Sequence, residues 1–172
     1  MSRQPGLFEQ AAPPERVRPV RGEVRPAADS PLLHAPALPT SIRLGTSSWS
    51  FPGWRGLVYE GVHPQTALSK KGLAAYAQIP MLRTVSLDRT FYAPLTTVEY
   101  ARYAGQVPDH FRFVVKAPAL VCDAVTRDEQ GRGRVPNPHF LDPGLAAREF
   151  VVPCLEGLEG KAGPLVFQVS PL

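Results

Sequence analysis

Apolar and polar positions change their spacing several times along this chain, and each change predicts a new element. Ile42-Arg43-Leu44-Gly45-Thr46 alternates as a strand does, then runs into Ser47, Ser48 and Trp49. Glycine and proline punctuate the next stretch, SFPGWRGLVYEGVHP, as a loop. Residues from about 66 to 79 place Leu73, Tyr76 and Ala77 on one helical face, and Pro80 closes that helix. Thr84 to Leu87 predict a second strand. Thr96-Thr97-Val98-Glu99 has the hydroxyl and carboxylate of a capping box and opens a helix to about Gln106. Phe111 to Lys116 alternate as a third strand, and a loop of about 20 residues follows. Asp142 and Pro143 then form an N-cap and first-turn pair for another helix, which Pro153 should end or kink. Leu165 to Val169 read as a fourth strand.

Strand and helix alternate throughout, which predicts an α/β domain with four parallel strands joined by right-handed crossovers. In such folds ligands bind beyond the carboxyl ends of the strands. Asp88, Arg89, Thr90, Phe91 and Tyr92 are crowded against the end of the second strand, where that site belongs. Ser47, Ser48 and Trp49 follow the first strand, Lys116 ends the third, and Gln168 is expected on the fourth.

Composition adds limits. Eight of the 20 prolines fall in residues 1–40, beside scattered charge and few aromatics. Such a segment buries too little apolar surface to offset its ordering entropy, so 1–40 is expected to be a disordered tail, with order beginning at Ser41 or Ile42. The domain then spans 41–172. A net charge of +4 permits contact with nucleic acid without requiring it. Cys122 and Cys154 have neither zinc-like spacing nor a disulfide framework, and MSRQPGLFEQ lacks the apolar run of a signal peptide. No segment approaches the roughly 20 apolar residues of a membrane span. These features point to a reducing, cytoplasmic setting.

Four motifs share an order and spacing: GTSSWSFPGW (45–54), LDRTFYAPL (87–95), FRFVVKAPAL (111–120) and PLVFQVSP (164–171). Together they resemble domain-of-unknown-function family 72 over about residues 42–172. The resemblance implies a TIM-barrel-like fold and a site at the strand ends, with no substrate, reaction or cofactor. Two positions depart from the family pattern. Val85-Ser86-Leu87 stands where members commonly carry Val-Glu-Ile, and Cys122-Asp123 stands where many carry Thr-His. A mechanism that needs that glutamate or histidine, as metal ligands for example, is therefore not supported by this chain. His34, His63, His110 and His139 show no ligand spacing either, and no metal site is assigned. A full barrel has eight strands in about 250 residues. This chain accordingly reads as the N-terminal half of one, or as a half that a second copy completes. Expressed alone, it is expected to aggregate or dimerise through its unpaired strand edges.

Each candidate has two readings. Lys116 can stabilise negative charge on a ligand, or pair with Asp88 to hold neighbouring strands. Asp88 can serve as a general base, or stay paired to Arg89 or Lys116. Trp49, Trp54, Phe91 and Tyr92 can wall a flat or sugar-like ligand, or roof the barrel. Thr90 and Gln168 can bond a ligand or satisfy backbone at the strand ends. Cys122 reads as structural, since no histidine is fixed beside it. In the tail, Gln4, Leu7 and Phe8 fit the Gln-x-x-Leu-Phe peptide with which bacterial replication proteins dock on the sliding clamp. The leading expectation is an enzyme with a small polar substrate. The other is a DNA-associated protein tethered to that clamp.

Overall fold

The computed structural model describes residues 22–36, 38–128, 130 and 132–169. The chain runs β1 (Leu44–Thr46), α1 (Gln65–Tyr76), β2 (Leu82–Leu87), α2 (Thr97–Ala104) and β3 (Arg112–Lys116). A short α3 (Ala119–Cys122) and a hairpin of β4 (Val125–Arg127) and β5 (Gly133–Pro136) follow. The helical segments α4 (Pro143–Ala146) and α5 (Val152–Leu158) then lead to β6 (Ala162–Val166). Four strands form a parallel sheet in the order β1-β2-β3-β6. This is the predicted α/β sheet, with its helices as crossovers.

Alternation along the strands decides what is buried. Val85 and Leu87 on β2, with Phe113 and Val115 on β3, face the helices and are all but fully buried. Tyr76 projects from α1 onto this face. Its hydroxyl donates to the Thr84 carbonyl at 3.0 Å and accepts the Thr46 N–H at 3.1 Å, stapling β1 to β2. The opposite face, with Thr84, Ser86, Val114 and Lys116, is only half covered. Among the described residues, β1 and β6 are each paired on one side only, and Leu44, Val166, Phe167 and Val169 are exposed near these edges.

The capping box forms as predicted. The Thr96 hydroxyl accepts from the Glu99 N–H, and the Glu99 carboxylate accepts from the Thr96 N–H. Asp142 likewise caps α4 through the Leu145 N–H. Pro153 neither ends nor breaks its helix. Ala147–Val151 winds as a π-helix just before it, with the Val152 N–H reaching the Ala147 carbonyl, and α5 then resumes. The wider turn absorbs the ring and the missing donor.

Three expectations are corrected. Order does not begin at Ser41: residues 22–36 are described and packed, with Val24, Ala27 and Ser30 buried. That segment docks on the loop before α1, where Ala27 N–H donates to the Val58 carbonyl at 3.0 Å and Glu60 N–H to the Arg25 carbonyl at 2.9 Å. Residues 1–21 lie outside the described residues. The long loop after β3 holds α3 and the β4-β5 hairpin, and Asn137 ties the hairpin's base to the Leu120 and Asp123 carbonyls at 2.9 and 2.8 Å. The fourth parallel strand starts at Ala162 and ends at Val166, so Gln168 lies beyond it. Gly163 explains the shift: a side chain there would come within 2.5 Å of the Phe113 carbonyl oxygen, so glycine permits the close approach of β6 to β3. Among the described residues β6 pairs with β3 alone, so the missing Pro164 N–H breaks no described ladder on its other side.

Candidate functional site

The end of β2 turns directly into a single 3-10 turn, Asp88–Phe91. This turn brings Asp88 to Lys116 at the end of β3. Lys116 Nζ lies 3.8 Å from Asp88 Oδ1, with the two side chains 31 % and 39 % exposed. The Ser86 hydroxyl donates to the same Oδ1. Both contacts therefore fall on one carboxylate oxygen, and Oδ2 has no partner among the described residues.

A cavity of about 730 Å³ opens beside this pair. Ser86 and Asp88 form one side, the loop from Ser47 to Ser50 another, and α1 and α2 close it with Ser69, Lys70, Glu99, Arg102 and Tyr103. Trp49 is a fixed wall, only 8 % exposed. Its indole N–H donates to the Leu68 carbonyl at 3.2 Å, its own carbonyl accepts from the Tyr59 hydroxyl, and its ring meets Tyr103 edge-on at 5.7 Å. Arg89 reaches across the cavity to the Tyr103 hydroxyl at 3.1 Å and to Glu99 at 3.9 Å. The Tyr103 hydrogen bond, with the Glu99 charge behind it, holds the guanidinium still more firmly protonated. Hydrogen bonds from the Thr96 backbone and hydroxyl hold the Glu99 carboxyl below its ordinary range.

The expected residues separate into two groups. Asp88 and Trp49 line the cavity, whereas Lys116 is not among its lining residues and is connected to it only by its contact with Asp88. Thr90 does not line the cavity. It is fully buried, and its hydroxyl lies 2.6 Å from both the Leu87 and Lys116 carbonyls, tying the ends of β2 and β3 together. Tyr92 is 85 % exposed and leans edge-on against Phe91 at 5.6 Å, and neither ring lines the cavity. Gln168 is exposed beyond β6, and its backbone bonds the buried Cys122 thiol. Burial foremost, and then the nearby Asp123 charge, pushes that thiol's pKa up, which suits a structural cysteine. Gln4, Leu7 and Phe8 lie outside the described residues.

Sequence reasoning missed the contribution of the helices. Lys70, Arg102 and Tyr103 sit on faces that read as ordinary solvent-facing positions. Only the fold brings these residues of α1 and α2 around one space. Among the described residues there is no cluster of three His, Cys, Asp or Glu side chains fit for a metal, and no helix is long and apolar enough to cross a membrane.

Comparison with known proteins agrees with this architecture. The family profile described as "Protein of unknown function DUF72" matches residues 43–172. A crystal structure of a DUF72 family protein from Enterococcus faecalis superposes with a TM-score of 0.50 at 22 % identity, over 74 % of this chain and 39 % of the other. A second crystal structure from that organism, also described as a DUF72 family protein, aligns over 60 % of this chain and 37 % of its own at 22 % identity, with a TM-score of 0.38. No curated protein matches the chain. At 22 % identity the first superposition speaks to the fold alone, and the chain spans about two fifths of that relative's length. With most of its length under one profile and its parallel sheet matched in a solved member, this chain belongs to the DUF72 family.

Proposed function

We propose that the domain binds a small polar molecule over the carboxyl ends of its strands and acts on it with Asp88 and Lys116. The observation that carries this reading is the pair itself. At 3.8 Å and about one-third exposed, such an ion pair contributes at most about 1 kcal/mol to stability. Packing therefore gives little reason to hold a lysine and an aspartate there. The free Oδ2 of Asp88 is placed to take a proton from a bound group, and the Lys116 ammonium to stabilise negative charge that develops as it leaves. Ser86, by fixing Oδ1, orients that carboxylate. Trp49 and Tyr103 supply an apolar surface for a ring or carbon chain.

The test is a panel of sugars, sugar phosphates and small carboxylic acids, read by tryptophan fluorescence and thermal shift. Lys116→Ala and Asp88→Asn should weaken the best binder by roughly tenfold or more and hardly move the melting temperature. Lower stability with binding intact would instead assign the pair to structure.

A second reading rests on Gln4, Leu7 and Phe8, as a tether to the sliding clamp. A peptide of residues 1–12 should then bind the clamp in about the micromolar range and lose binding when Leu7 and Phe8 become alanine. Equal binding by both peptides dismisses it.

A further inference from the structure

We infer that the molecule bound in this cavity is a small organic anion, its phosphate or carboxylate seated between α1 and α2 on Lys70 and Arg102. The inference rests on the binding reading above and adds the ligand's charge.

Its basis is the charge balance of the lining. Three cations, Lys70, Arg89 and Arg102, face two carboxylates, Asp88 and Glu99. Each carboxylate already has a cation within 4 Å. Asp88 Oδ1 takes the Ser86 hydroxyl and the Lys116 ammonium. Glu99 Oε2 accepts the Thr96 N–H at 2.9 Å and the Thr96 hydroxyl at 3.0 Å, while Oε1 pairs with Arg89. Arg89 is further fixed on Tyr103. Lys70 lines the space from α1 and Arg102 from α2. Neither has a carboxylate within 4 Å among the described residues, although the Arg102 charge still reaches Glu99 on its own helix. Two positive charges that flank one concave space raise the local concentration of anions, and they strengthen as water is displaced.

The neutral donors agree with this. Ser47 and Ser69 offer hydroxyls to the same space, and Ser48 and Ser50 hold each other at 3.0 Å on the loop. Trp49 and Tyr103, in edge-on contact, line the same space and accommodate the ligand's uncharged body. Cations, hydroxyls and aromatic rings around one space suit a ring or short chain that ends in an anion.

Calorimetric titration at low salt with inorganic phosphate, acetate, a hexose and the matching hexose phosphate tests this in the full chain. The hexose phosphate should bind at least about tenfold tighter than the hexose. Inorganic phosphate should compete with it, and raised salt should weaken it. Lys70→Ala with Arg102→Ala should erase the preference without shifting the melting temperature, since both side chains are exposed. The acetate arm separates a carboxylate site from a phosphate site. Equal binding of hexose and hexose phosphate would overturn the inference and leave the binding reading standing. Phosphate binding undiminished in the double variant would overturn it as well. If no probe, neutral or charged, binds, both readings fall.

Discussion

Lys161 and Lys116 stand at opposite ends of the same sheet, and they are used in opposite ways. Lys161 precedes β6 at the amino end. Its ammonium donates to the Ala104 and Val107 carbonyls at 2.9 and 2.7 Å, sealing the last turn of α2, and it is 18 % exposed. Arg83 and Arg112 nearby are likewise spent on backbone, at the Pro80 carbonyl and at the Asp109 and Phe111 carbonyls. Lys116, at the carboxyl end, has one loose contact at 3.8 Å and a cavity beside its partner. Where cations close backbone carbonyls, they serve the fold. Where they are left short of partners beside a concave space, the proposed reading assigns them to a ligand.

Lys161→Ala gives the sharpest break. It removes two charge-assisted hydrogen bonds and leaves partly buried carbonyls unmet, so a loss of about 2–3 kcal/mol is expected in a urea melt. Anion binding at the other end should persist in the folded fraction. A variant as stable as the parent would erase the distinction between the two ends.

Thr90→Val comes next, because it removes a buried hydroxyl at the carboxyl end that serves structure. About 1–2 kcal/mol of stability should be lost, with ligand affinity kept. Loss of affinity with unchanged stability would return Thr90 to the ligand's side.

These two variants show what the sequence could tell. The parallel sheet was legible because its strands alternate and its helices carry a capping box and a proline start. The meeting of Asp88 and Lys116 was legible because neighbouring parallel strands end side by side. Thr90 was not. A hydroxyl one turn past a strand reads the same whether it meets a ligand or a carbonyl, and only burial separates the two. The start of β6 was hidden by Ala162-Gly163-Pro164, which lack strand character, with Gly163 serving the close approach to β3. Residues 22–36 were hidden because the few apolar side chains that dock them, Val24, Ala27, Leu32 and Leu33, are scattered among prolines and charges with no strand or helix spacing. Lys70 and Arg102 carry no local signal at all.

A smaller effect concerns pH and the packing behind both ends. Burial pushes the Cys154 thiol up to about 11, against a lesser opposing influence of the neighbouring Tyr100 hydroxyl. A thiol whose pKa is raised in the folded state favours folding while it stays protonated. That contribution is complete below the unfolded pKa of about 8.5 and fades as pH rises toward about 11. Stability should fall across that window, and Cys154→Ala should flatten the fall. Thiolate absorbance that rises near the ordinary cysteine pKa would contradict the burial.

Lys116→Ala carries the smallest expected change in stability, under about 1 kcal/mol, and the comparison depends on its contrast with Lys161→Ala.

Amide NMR mapping during titration with a hexose phosphate tests the central claim most directly, since it reports both ends of the sheet at once. The account predicts the largest shifts at Ser48, Asp88, Arg89 and Tyr103 and at the Trp49 indole, with the amides around Arg83, Arg112 and Lys161 unmoved. Shifts centred on the amino end, or none at the carboxyl end, would contradict it.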